Sequence, residues 1–372
     1  MKVLHVITGL DVGGAELQLA MLVQRSRHDA DVVALYNAGP VADMIRSAGV
    51  TVTDLGMTRN TELSALVRLR RIIRAGRYDV VHTHLYRSQI YARPAARLAR
   101  TPVVLTTEHS IGETHIERRK MTGGVRALYL TSELFSDATI AVSDTVQERL
   151  VRWGVPAGKI TVIPNGLDVD ELAFDPASRS RVRAQFGIGP HCYVIGALGR
   201  LDSMKRVDLT IEAAVPVLGP DCKMLVIGRG DDEARLRRAA EQLGVADHVI
   251  FGGYQADTRA MLAAFDLYVS ASEQETFGLS VLEALASGMP VLYTTCPALE
   301  GIATEWARRV EGTPAALGAE IRKEVESGPR PRTVDAMVFD RYGIEAVAGA
   351  IDDLYERLAN QRSRLARRVS AG

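Results

Sequence analysis

Short runs of aliphatic and β-branched residues alternate along the whole chain with stretches whose apolar positions recur at helical spacing. That alternation predicts parallel strands covered by helices. In the first half the runs are KVLHVIT, DVVALY, DVVHTHL, PVVLTTE and ATIAVS, with helical stretches such as GAELQLAMLVQRS and LSALVRLRRIIRAG between them. The second half restarts with YVIGALG and continues through KMLVIG, HVIFGG, LYVSAS and PVLYTT. These runs are nearly continuous in apolar residues, as expected of strands buried on both faces. Between the halves, DVDELAFDPASRSRVRAQFGIGP carries Pro, Gly, Ser and charges and no strand-length apolar run.

The prediction is therefore an α/β chain with two Rossmann-like domains, at 1–170 and 171–345, followed by a helix and tail at 346–372 that packs back toward the first domain. Ligands of open α/β sheets bind outside the carboxyl ends of the strands, so the site is expected in a crevice facing both sheets.

Composition narrows the function classes. At 372 residues the chain exceeds what one hydrophobic core usually supports. Lys plus Arg and Asp plus Glu both total 45, which gives no global field for nucleic acid or an anionic membrane. The opening MKVLHVITGL reads as a first strand, and no apolar run approaches the roughly 20 residues of a membrane-spanning helix. Cys192, Cys222 and Cys296 are scattered, which fits small core residues in a reducing compartment. The expected location is cytoplasmic. Arg68, Arg70, Arg71 and Arg74 beside Leu66, Leu69, Ile72 and Ile73 leave open a weak peripheral association with the inner face of the membrane.

Four segments carry candidate chemistry. In SASEQETFGLSVLEALASGMPVL a strand ends near Ser272 and a helix runs from near Gly278 to Gly288. Glu275 in the loop and Glu283 on the helix flank backbone amides at Thr276, Phe277, Gly278 and Leu279, an arrangement suited to sugar hydroxyls and an anion. Spacing alone leaves an ordinary loop and a surface glutamate as the alternative. In GALGRLDSMKRVDL, Arg200 and Lys205 follow a strand end and suit a diphosphate, Arg as a fork and Lys as a point charge. Gly13 and Gly14, between the first strand and first helix, permit close backbone approach but do not fit a dinucleotide fingerprint. His109 closes a strand. His82 and His84 are read as alternating across theirs, so that one faces the site, and His84 is chosen. No cluster of His, Cys or Asp has metal-ligand spacing, and Asp168-Val169-Asp170 is read as a turn rather than a metal site.

Together GGAE at 13–16, DVVHTH at 79–84, TTEH ending at His109, PNGLD at 164–168, GRLDSMKRVD at 199–208, VIGRG at 226–230 and ETFGLSVLEALASGMPVL at 275–292 resemble the GT-B glycosyltransferases of retaining family 4. The resemblance covers almost the whole chain, and the E-x-F-G-L-x-x-x-E pattern is its most specific part. It implies transfer of a sugar from a nucleoside-diphosphate sugar, UDP- or GDP-linked, to an acceptor hydroxyl with retention; with two cations and helix-terminal amides at the diphosphate and no cluster of metal-ligand spacing, no metal or other cofactor is expected. It implies that Glu275 contacts donor-sugar hydroxyls, Glu283 holds the ribose, and Arg200 and Lys205 stabilise the departing diphosphate. Gly13 and Gly14 would approach the diphosphate, His109 would contact the sugar near the reacting centre, and residues 276–279 would add backbone contacts. His84 and Glu113 are taken as acceptor contacts.

The departure lies after PVLYTT, where the family's P-E-[IL] motif is replaced by CPALEGIATEWARRVEG, with Glu300 as the nearest relic. Donor identity, acceptor and oligomeric state stay open. Two alternatives accompany this reading: a nucleotide-sugar 2-epimerase of the same fold, and a non-catalytic subunit of a glycosylation complex.

Overall fold

The computed structural model describes residues 1–117 and 119–370; the last two residues of the predicted tail lie outside the described residues. Internal contacts divide the chain into two units, Met1–Gly166 with Ile344–Gly372, and Leu167–Gly343. The C-terminal helix Ile344–Ser370 thus belongs with the first unit.

The first unit is built on β1 (Lys2–Ile7), β2 (Asp29–Ala34), β3 (Thr51–Asp54), β4 (Val80–His84) and β5 (Val103–Glu108). A short antiparallel ribbon, β6 (His115–Ile116) with β7 (Arg119–Lys120), follows, and then β8 (Ala138–Ala141) and β9 (Ile160–Val162). The main sheet has the order β3-β2-β1-β4-β5-β8-β9, and all its pairs are parallel. Strand order reverses beside β1, whose neighbours are β2 and β4, so this is the switch point where loops diverge above the sheet. Residues of the C-terminal helix, Val347, Ala348, Ile351 and Tyr355, join Val3, Val80, Val103 and Ile140 in one buried cluster. That face of the sheet would otherwise stand open. The helix is anchored by Ser26 Oγ and the Arg27 amide, both donating to the buried carboxylate of Asp352.

The second unit has β10 (Tyr193–Leu198), β11 (Cys222–Ile227), β12 (Val249–Gly253), β13 (Leu267–Ser270), β14 (Val291–Tyr293) and β15 (Ala307–Arg309), ordered β12-β11-β10-β13-β14-β15 and again all parallel. Its switch point lies between β10 and β13. Asp266 fixes that pair at its base: it accepts from Arg179, Arg183 and the Val194 amide, so a buried carboxylate ties two helix arginines to the start of β10. At the other end of the sheet the backbone is packed too closely for side chains. A Cβ on Gly228 would stand 1.8 Å from the Gly199 carbonyl oxygen, and one on Gly230 would stand 2.0 Å from that of Leu201. The glycines of VIGRG therefore let the loop after β11 press against the loop that carries Arg200.

Among the described residues no helix is long and apolar enough to cross a membrane. The arginine-rich helix Leu63–Gly76 buries Ala65, Leu69 and Ile73 against its own sheet.

Candidate functional site

At the β10–β13 switch point the second unit gathers the charged residues singled out in the sequence. β10 ends at Leu198, and Gly199 takes φ +147, a conformation that side chains resist, so the chain turns sharply and presents Arg200. Asp202 then accepts from the amides of Met204 and Lys205, shaping a single turn, Ser203–Lys205, that aims the lysine. Lys205 Nζ lies 2.5 Å from Glu275 Oε1, with both side chains only partly exposed. Arg200 is more open; its Nε donates to Asp202 at 2.7 Å.

Glu275 stands in the loop after β13. The amide of Glu273 donates to the Met204 carbonyl, which binds this loop to the one carrying Lys205. The helix Leu279–Ala286 begins at Gly278, which has φ +102 and no side-chain cap, and whose carbonyl accepts from the Val281 and Leu282 amides. A Cβ on Gly278 would meet Cys296 Sγ at 2.5 Å, so glycine is required here by both conformation and space. The helix ends at Ala286, and Gly288 just beyond it takes φ +74, as the sequence predicts for a glycine past the helix end.

Glu283, in that helix, keeps part of its surface open, yet its carboxyl is desolvated enough to be pushed up to about 7, with Lys205 pulling the other way. The site thus holds one carboxylate paired with a lysine and one carboxyl poised between protonation states near neutrality. Behind them Tyr268, fully buried, donates its hydroxyl to the Leu198 carbonyl.

Beside this cluster the departing segment folds into the wall of a cavity of about 530 Å³, lined by Tyr293, Thr295, Cys296, Glu300, Ile302 and Arg309. The amide of Ala298 donates to the Phe277 carbonyl, which fastens this wall to the signature loop. Glu300 therefore lines a ligand-sized space despite the missing motif.

The first unit places its histidines at the matching point of its own sheet. His109 follows β5 directly and is half-buried; burial pushes its imidazole down to about 4, partly opposed by the Asn165 side chain. His84, expected as an acceptor contact, is buried, and its Nε2 and Nδ1 are 3.1 Å from His5 Nδ1 and 3.3 Å from His109 Nε2. Residues two apart in a strand share a face, so His82 and His84 point the same way, ring centroids 4.1 Å apart, rather than to opposite sides. Glu113 is engaged by Arg149 and Arg152, whose guanidinium groups hold its carboxyl below the usual range. Gly13 precedes the helix Gly14–Arg25 and is the residue at its N-cap.

His5, His82 and His84 form a trio whose nearest ring atoms lie within 4.8 Å, a grouping that sequence spacing concealed because β1 and β4 are some 75 residues apart in the chain. The signal was present in the register: His5 pairs with His82 across adjacent strands. Asp168 accepts from the Glu171 amide and caps the short helix Val169–Leu172, so the segment read as a turn is the start of a helix.

Comparison with known proteins decides the family. The profile described as Glycosyltransferase Family 4 matches residues 12–171, and that of Glycosyl transferases group 1 matches residues 178–335. The chain belongs to the group 1 glycosyltransferases. It is 25% identical over 290 residues to the UDP-Gal:alpha-D-GlcNAc-diphosphoundecaprenol alpha-1,3-galactosyltransferase of Escherichia coli, covering 74% of each chain. To a D-inositol 3-phosphate glycosyltransferase of Acidothermus cellulolyticus it is 27% identical over 334 residues, which is 82% of this chain and 74% of that one. In fold it is similar to Anabaena HepE in complex with UDP-glucose, with TM-score 0.85 at 21% identity, across 96% of this chain and all of that one. This glycosyltransferase therefore has the GT-B architecture of two parallel α/β units.

Proposed function

We propose that this glycosyltransferase moves a sugar from a nucleoside-diphosphate sugar to an acceptor hydroxyl, with retention of anomeric configuration and without a metal ion. The observation that carries the reading is the convergence of Lys205, Glu275, Glu283 and Arg200 at one switch point, beside the helix start at Gly278. A leaving diphosphate needs positive charge placed before the bond breaks. Lys205 and Arg200 supply two cations, and the helix start adds oriented N–H groups. Lys205 is already held by Glu275, so its ammonium pays little reorganisation when the donor arrives.

Glu275 then orients sugar hydroxyls while neutralising part of the lysine's charge. Glu283, in its ionised form, accepts from the ribose hydroxyls. The cavity walled by Thr295, Glu300 and Arg309 is large enough for a sugar and adjoins the Glu275 loop. His109 is proposed as a contact to the donor sugar. Its low affinity for a proton suits that role, because a neutral imidazole does not repel the positive charge that develops at the anomeric carbon. Gly13 and Gly14 are proposed to approach the diphosphate through their backbone.

UDP-linked sugars lead the choice of donor, since UDP is named with HepE and UDP-Gal with the Escherichia coli relative. The test is incubation with a panel of UDP- and GDP-sugars and candidate hydroxyl acceptors, read by mass spectrometry for sugar transfer and by NMR for the anomer formed, with and without EDTA. Transfer with an unchanged anomer in EDTA supports the reading. An inverted product, epimerised nucleotide sugar without transfer, or activity restored only by a divalent ion contradicts it.

A further inference from the structure

The carboxyl end of the first unit's sheet carries charges that the donor chemistry leaves unused. Arg87 follows β4 in the first turn of the helix Tyr86–Leu98, and Arg119 lies on β7 of the short ribbon that follows β5. Each guanidinium rests on a tyrosine ring. Arg87 Cζ is 4.7 Å from the ring centre of Tyr36, just past β2, and Arg119 Cζ is 5.7 Å from that of Tyr86. Both rings are held in turn: the Tyr36 hydroxyl reaches the Arg59 carbonyl and Asn60 Oδ1, and the buried Tyr86 donates to the Val125 carbonyl. Glu117 joins the two segments, its Oε2 accepting from the Arg87 amide at 3.2 Å. Tyr36, Arg87, Glu117 and Arg119 are all half-buried.

Among the described residues no carboxylate forms an ion pair with Arg87 or Arg119, whereas Arg68 and Arg149 of the same unit are paired with Glu62 and Glu113. Glu117 directs its carboxyl to a backbone amide, and burial pushes that carboxyl up, which weakens it as a rival to an incoming anion. The backbone here is also strained. Of the six described non-glycine residues with positive φ, three adjoin these groups: Asn37 follows Tyr36, Leu85 precedes Tyr86, and Glu117 itself has φ +45. Such conformations persist only where the surrounding structure imposes them. Stacking likewise restricts the rotamers of both arginines before any ligand arrives, so less freedom is lost on binding.

We propose that Arg87 and Arg119 anchor a phosphate group carried by the acceptor, so that the acceptor is a phosphate or diphosphate ester with a free hydroxyl. This rests on the glycosyltransferase reading above, in which Arg200 and Lys205 of the second unit hold the donor's diphosphate and leave the first unit's cations for the other substrate. Two guanidinium forks suit a phosphate better than a carboxylate. One fork already satisfies a carboxylate bidentately, whereas a phosphate monoester presents three oxygens and about two charges at neutral pH. The phosphate is a handle whose bonds do not change during transfer, so losing its anchor should appear in acceptor KM.

Phenyl phosphate, a phosphate monoester without a sugar, probes the anchor directly when titrated by ligand-observed NMR into the full chain saturated with UDP, which fills the donor's phosphate site. Wild type should bind phenyl phosphate and ignore benzyl alcohol. Arg87→Gln and Arg119→Gln should each weaken that binding roughly fivefold or more, with UDP affinity within about twofold of wild type. Thermal melting checks the fold of each variant, and Arg87→Lys, which keeps the charge and loses the fork, should fall between wild type and Arg87→Gln. Equal binding by wild type and the folded variants, or no binding by wild type, overturns the proposal. A matching fall in UDP affinity would assign the arginines to the donor and overturn it as well. Kinetics with hydroxyl acceptors offered with and without their phosphate give a second readout. The phosphorylated member should be preferred roughly tenfold or more in kcat/KM, Arg87→Gln should remove that preference through KM, and equal use of both members by wild type overturns the proposal. Failure of wild type to bind UDP counts against the donor reading instead; the titration is then made in Lys205→Ala, where dependence on Arg87 and Arg119 still decides the anchor.

Discussion

The two units place their candidate site residues at equivalent points of similar sheets and surround them with opposite chemistry. In the second unit the carboxyl ends of β10 and β13 carry Arg200, Lys205, Glu275 and Glu283, charged and partly open to solvent. In the first, the ends of β1, β4 and β5 carry His5, His84 and His109, uncharged and largely enclosed. A diphosphate that gains charge as it leaves calls for the cations of the first environment, and a sugar ring that becomes cationic is not opposed by the neutral imidazoles of the second. The fold supplies location, and the residues at each switch point supply the sign of the field.

The largest effect that would break this comparison is loss of the cations. Lys205→Ala and Arg200→Ala should each lower kcat/KM by roughly 100-fold or more in steady-state assays, the scale of one lost transition-state charge contact. Near-wild-type rates in both would show that the second unit does not hold the diphosphate here.

The two glutamates sharpen the same contrast. Glu275→Gln should lower kcat more than it raises donor KM, because its loss releases Lys205 and the sugar together. Glu283→Gln should mainly raise donor KM, as the ribose does not change during transfer. A reversed pattern would place the sugar on the helix side and the ribose on the loop side.

A pH effect follows from Glu283, whose folded carboxyl is raised to about 7. Ribose hydroxyls favour its ionised form, so below about pH 7 donor binding must expel a proton. Calorimetry with an intact nucleotide sugar should show affinity roughly tenfold weaker at pH 6 than at pH 8, and Glu283→Gln should flatten that slope. A flat profile in wild type would mean that Glu283 does not meet the donor as an anion.

The smallest expected effect is on stability. Because the folded carboxyl is raised above its unfolded value, ionisation is disfavoured in the fold, and this group costs stability progressively as pH rises through the interval up to about 7. Glu283→Gln should therefore melt higher than wild type at pH 8, by roughly 2–4 °C, with the gap closing below pH 5. A variant less stable than wild type at pH 8 would indicate a supporting contact for Glu283 instead.

Much of this was legible in the sequence, and the parts that were not have physical causes. The buried strands were plain because both faces are covered, as in VVHTH with every residue buried. The edge strands were not: in TVTD only Val52 is buried, and the last strand, ARR, is mostly exposed charge. Such segments become strands by pairing with a neighbour rather than by their own pattern. Glu275, Glu283 and Lys205 could be singled out because one loop, one helix and one turn carry them in short recognisable motifs, and the fold gathers them at one end of the sheet. The surroundings of His84 were not legible because they depend on register. Its partners His5 and His109 come from separate strands, and only their alignment beside β4 shows that both nitrogens are taken.

The central claim is that Lys205 and Arg200 form the diphosphate site of a nucleotide-sugar donor, and binding of UDP and GDP to the folded wild type and to Lys205→Ala, measured by calorimetry, tests it most directly. The account predicts that at least one of the two nucleotides binds wild type and that its affinity falls roughly tenfold or more in Lys205→Ala; equal binding to both proteins, or no binding of either nucleotide to wild type, would contradict it.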